Sequence, residues 1–157
     1  MSNFKRPAPR FDNRYANEGV WTLIEDENGY EYGQFRVGLF DPSLPRVRMI
    51  TERVAREANA RAKTNGRMDT DQTIRTNMSV FVETCLFDWH MTGEDGKPIK
   101  FSKDKALEYF LMHDIDPDTG EKVYVYDFAL TALLNFVRDV RNFRSDEQAK
   151  AGDPTGN

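Results

Sequence analysis

The sequence predicts an α+β fold, mainly α, with an N-terminal β-hairpin followed by about four helices packed around one core. Three observations predict it. Two alternating apolar stretches flank Asn28-Gly29, the strongest short hairpin signal. Downstream, apolar residues recur at helical spacing in "NMSVFVETCLFDWH" and in "DFALTALLNFVRDVRNF". Finally, 157 residues with 39% hydrophobic content suit one domain that buries roughly 70% of its unfolded surface.

Each element has a local reason. Residues 1–18 carry Lys5, Arg6, Arg10 and Arg14 against Asp12 and Glu18. Pro7 and Pro9 oppose a helix there, so a flexible basic arm is expected, ahead of a single globular domain over 19–145. The hairpin spans 20–40. Val20, Thr22 and Ile24 alternate with Trp21 and Leu23, and Asn28-Gly29 fits a type I′ turn, whose central residues both need positive φ. Gly33 is a candidate bulge in the second strand.

A helix near 44–63 follows, with Pro45 suited to its first position. Val47, Ile50, Val54 and Ala58 fall on one face. Six basic residues between 46 and 63 face only Glu52 and Glu57, a local net of +4. The next helix is expected over 69–90, with Asp69 or Asp71 as its cap. Its stripe runs Ile74, Met78, Phe81, Cys85 and Trp89, and Cys85 reads as an inert packed thiol. Glu94-Asp95-Gly96 is a turn sequence, and Ser102 is the expected cap of a helix over 102–113. After the turn-rich "HDIDPDTGE", a last and very apolar helix is expected over 123–144. Residues 146–157 read as a disordered polar tail.

Composition excludes several classes. The single cysteine allows no intramolecular disulfide, and a reducing compartment is the simple expectation. No apolar run approaches the roughly 20 residues of a membrane helix, and "MSNFKRPAPRF" lacks the apolar region of a secretory signal. A net charge of −4 argues against global coating of nucleic acid.

The chemistry-bearing residues support no reaction. His90 and His113 lie 23 positions apart, outside any nucleophile motif or paired metal-ligand spacing. Asp114, Asp116 and Asp118 begin like a calcium loop. Counting from Asp114, however, the sixth position is Thr119 and the twelfth Val125, where glycine and glutamate are required. "GEDGKP" has no Ser or Thr after its Lys, so it is no phosphate loop. No catalytic residue, metal ligand or cofactor is expected.

One stretch carries a family likeness. "EGVW" leads the hairpin, Trp89 precedes "GEDGKPIKFSKDKALEYF", and "LLNFVRDVRNF" closes the domain. In this order the motifs resemble the tail assembly chaperones of long-tailed (siphovirus-like) bacteriophages, over most of 18–143. The basic helix and the loop 113–122 have no counterpart in that pattern. The resemblance implies a non-enzymatic role in the host cell cytoplasm. Such a chaperone binds the tape measure protein and keeps it soluble during tail tube assembly. A frameshifted longer form would recruit the tail tube protein.

Helix-in-groove binding needs apolar anchors within a charged rim. The candidates are Trp89, Phe110, Leu111, Phe136, Val140 and Phe143. Part of the last helix is expected to be exposed or buried by self-association. A second reading, from another class, is a small nucleic-acid-associated regulator that uses the basic arm and helix 44–63. No aromatics interleave with those arginines for base stacking, so nucleic acid is the weaker partner.

Overall fold

A computed structural model describes residues 3–65 and 70–151. The fold is α+β and mainly α. A short helix α1 (Asn13–Glu18) precedes strands β1 (Val20–Glu25) and β2 (Glu31–Val37). Helices α2 (Pro45–Asn65) and α3 (Thr70–Cys85) follow, then strand β3 (Leu86–His90) and helix α4 (Lys103–Leu111). A small hairpin, β4 (His113–Ile115) and β5 (Lys122–Tyr124), leads to α5 (Asp127–Arg138), a 3-10 turn (Val140–Phe143) and α6 (Asp146–Ala151).

The three-stranded antiparallel sheet has the order β1-β2-β3. Alternation puts Ile24, Phe35, Val37 and Trp89 into the core, while Trp21 and Leu23 stay 43% and 44% exposed on the other face. The expected hairpin forms, but not with the expected turn. Only Gly29 takes a positive φ, 81°; Asn28 does not. Asp26 Oδ1 accepts the N–H groups of Asn28 and Tyr30 at 2.9 and 3.0 Å, which favours a longer, carboxylate-anchored loop. Ile24 pairs with Gly33 and Glu25 with Glu31, so Tyr32 is the extra residue of a bulge beside Gly33.

The segment read as one helix over 69–90 divides in two. Asp69 lies outside the described residues, and Asp71 sits in the first turn of α3. The helix stops at Cys85 because its last carbonyls are taken by distant groups. Gly38 N–H donates to the Cys85 carbonyl at 2.8 Å, Arg46 donates to that of Thr84, and Lys103 Nζ donates to that of Val82 at 2.8 Å. The chain then extends as β3, with Trp89 opposite Phe35. Burial holds the Lys103 ammonium below the ordinary lysine value, and the Val82 and Leu86 carbonyls accept its N–H groups.

The segment 123–144 is likewise not one helix. Its start belongs to the β4–β5 hairpin, and α5 ends at Arg138. Asp139 then caps the 3-10 turn by accepting the Arg141 N–H at 3.0 Å. From Arg10 onward the arm is also tied to the domain, beyond what its prolines imply. Asp12 caps α1, Asp12 N–H donates to the Phe143 carbonyl at 2.8 Å, and Ala16 is fully buried. Arg10 pairs with Asp41 at 3.2 Å. In the segment expected to be a tail, α6 is tied back through Gln148 Nε2, which donates to the Phe11 carbonyl at 3.0 Å. The remaining tail, 152–157, lies outside the described residues.

Ser102 caps α4 as expected, its Oγ accepting the Lys105 N–H at 3.0 Å. On α2, Val47, Val54 and Ala58 are buried as the pattern indicates. Arg46 departs from it: the guanidinium turns inward to the Ala16 and Thr84 carbonyls, although its neighbours Arg48 and Met49 face solvent.

Candidate partner-binding groove

The stretch from Trp89 to Ser102 builds one wall of an open groove. Leu86 and Trp89 anchor β3 in the core. The chain then turns back through Gly93–Gly96, where Asp95 Oδ1 accepts the Lys97 N–H at 3.0 Å. Ile99 returns against Met91, its N–H donating to the Met91 carbonyl at 2.9 Å. The Ser102 cap then starts α4.

Between this wall and α4 lies a groove of about 820 Å³. Its apolar lining includes Trp89, Met91, Ile99, Leu107 and Leu111. Leu107 and Leu111 are one helical turn apart, so they share a face. Charged side chains border it, among them Arg75, Asp104 and the Lys105–Glu108 ion pair at 3.3 Å. Tyr109 and Tyr126 stack at 3.8 Å between ring centroids and also line it. The Tyr109 hydroxyl is buried without a hydrogen-bond partner among the described residues. Burial, reinforced by Tyr126, Tyr30 and Tyr32, pushes its ionisation far upward.

The six expected anchors separate. Trp89 and Leu111 meet in this groove. Trp89 is only 4% exposed and serves as floor. Phe110 is 1% exposed and packs edge-on against Phe81 at 5.8 Å, inside the core. Phe143 is fully buried, with the Phe136 ring 5.8 Å away. Phe136, Val140 and Phe143 belong to the packing of the C-terminal segment beside α1 and line no part of the groove. Phe110 and Phe143 are therefore not available as anchors, because the domain's own core encloses them. Met91, Ile99, Leu107 and Tyr126 were missed as lining residues. The Leu107/Leu111 spacing was the one signal that could have found part of the set.

His90, His113 and the aspartates of 114–118 lie apart from one another. His90 lies against Trp21 on the open face of the sheet, ring centroids 4.3 Å apart. His113 contacts the Leu111 carbonyl through Nδ1 at 2.9 Å. Asp116 Oδ1 accepts the N–H groups of Asp118 and Thr119, so the aspartates form a hairpin turn. Among the described residues, no cluster of three His, Cys, Asp or Glu could hold a metal ion, and no helix is long and apolar enough to cross a membrane. Compared with known proteins, the chain matches no family model, no curated protein and no solved structure.

Proposed function

We propose that this protein is a non-enzymatic tail assembly chaperone of a long-tailed bacteriophage. In this reading it binds the tape measure protein in the host cell cytoplasm and keeps that long helical chain soluble while tube subunits assemble. The observation that carries the reading is the groove between the Trp89–Ile99 wall and α4. It is open, apolar along its lining and bordered by charges of both signs. That chemistry suits the apolar stripe of an amphipathic helix, and Met91 and Met112 let the surface adapt to varied anchors. The motif stretch that resembles this family supplies the wall and the cap of α4, which supports the reading further. The tail tube protein, or a second copy of the chain, would bind elsewhere on the molecule.

Co-expression with the tape measure protein tests the proposal. Wild-type protein should raise its soluble yield several-fold, and Leu107→Asp, with unchanged helical circular dichroism, should abolish the gain. An unchanged yield with wild-type protein would sink it.

A second reading rests on α2. Arg48, Arg56 and Arg61 are exposed and form no ion pair among the described residues, so this face could track phosphates. Arg53 is paired with Glu83 at 3.2 Å and Arg46 is turned inward, which removes two of the six cations between 46 and 63 from that face. Retention on DNA or RNA that weakens with salt would favour this reading; no retention at low salt would remove it.

A further inference from the structure

A second groove, of about 550 Å³, lies between the α2–α3 pair and α5 and shares no lining residue with the first. Its two long walls repeat at helical spacing. Ile74, Met78 and Phe81 on α3 follow an i, i+4, i+7 pattern, with Ile74 half-buried at the wall and Met78 and Phe81, 7% and 4% exposed, forming the floor; the half-buried Leu130 and Leu134 on α5 follow i, i+4. Arg138 is the one charged residue in the lining. It sits in the last turn of α5, exposed, and forms no ion pair among the described residues.

We propose that this groove receives a second amphipathic helix of the guest protein, lying antiparallel to α5, with a carboxylate from its first turn seated against Arg138. The inference rests on the chaperone reading and specifies the chemistry of the segment recognised. Ile74 on one side and Leu130 and Leu134 on the other, above the Met78–Phe81 floor, accept the side chains of a third helix laid between them. The cation at the C-terminal end of α5 selects the polarity. Carboxylates are favoured in the first turn of a helix and cations in the last, so a guest whose N-terminus meets Arg138 satisfies both helices. An acidic first turn followed by an apolar stripe is the expected sequence signature. A basic first turn would be rejected, since no carboxylate lines the groove.

The probe is a fluorescein-labelled synthetic helix with leucines at i, i+4 and i+7 and two glutamates in its first turn, titrated with the full chain by fluorescence anisotropy. Arg138→Glu should weaken binding at least tenfold, and a probe with lysines in place of the glutamates should recover affinity for that variant. Arg14→Glu, a charge-matched change on α1, should have no effect. Leu134→Asp should also weaken the probe, with folding verified by circular dichroism. The proposal is overturned by a wild-type chain that binds no probe, or by an Arg138→Glu chain that binds both probes as wild type does. Either failure leaves the co-expression result intact, so loss of this groove and loss of the chaperone reading are told apart.

Discussion

The indole Nε1 of Trp89 donates to the carbonyl of Ile99 at 2.8 Å. This bond ties the end of β3 to the segment that starts α4, across the turn Gly93–Gly96. Trp89 also packs edge-on against Phe101 at 5.3 Å and Phe35 at 6.5 Å. One side chain thereby holds sheet, turn and helix cap in register, and sets the wall of the first groove.

Trp89→Phe should therefore destabilise the fold by about 2 kcal/mol. It removes the donor to Ile99 and leaves a partial cavity. Urea unfolding should show a lower midpoint with an unchanged slope. A midpoint equal to wild type would separate the indole from the groove's architecture.

Gly38→Ala should cost about 3 kcal/mol or more, since overpacking of a rigid site destabilises. A methyl group there would sit 2.6 Å from Phe87 Cζ and 2.7 Å from the Ala16 carbonyl oxygen. Phe87 cannot easily yield, because Arg46 lies 5.1 Å from its ring centroid, Lys103 5.7 Å and Arg36 5.8 Å. Loss of soluble protein, or a much lowered thermal midpoint, is the expected readout.

Cys85 should make the protein lose stability in alkali. Burial pushes its thiol from 9.0 up to about 11, against the opposing Thr84 hydrogen bond and the nearby Arg46, Lys103 and Arg138. Between these values the unfolded chain ionises first, so unfolding is favoured as pH rises. The effect approaches about 3 kcal/mol by pH 11. Cys85→Ala should lose less stability than wild type between about pH 8.5 and 11, measured by urea unfolding across that range. Parallel pH profiles would contradict the assignment.

Tyr109→Phe should be neutral or stabilising by up to about 1 kcal/mol, because removing an orphan buried hydroxyl relieves its desolvation. Thr51→Val should behave alike, since Thr51 Oγ1 is also buried without a partner among the described residues. Thermal melts of the two variants test this; a drop of several degrees in either would mean that the hydroxyl has a partner in solution.

Much of this architecture was legible because its signals are local. The β1/β2 alternation, the Ser102 cap, Pro45 at the head of α2 and the Asp116 turn each depend on neighbours a few residues away. The type I′ turn was misread because Asp26, two residues upstream of Asn28, captures the turn with its carboxylate. The helix over 69–90 was misread because Ile74 to Trp89 keeps helical spacing across a strand boundary. Of the six expected anchors, Trp89 and Leu111 line the groove, Phe110 and Phe143 are core, and Phe136 and Val140 pack with the C-terminal segment.

The sequence by itself determined the class of fold, the caps and turns, and the absence of any recognisable catalytic motif, because side-chain periodicity and capping act within a turn or two of chain. Tertiary structure alone decided where α3 stops, that Arg46 turns inward, and which apolar residues line a groove instead of filling the core. Those outcomes depend on groups far apart in sequence, such as Lys103 at the carbonyl of Val82 and Gly38 at that of Cys85. A buried carbonyl must find a donor wherever the fold brings one, and no local pattern records which donor that will be.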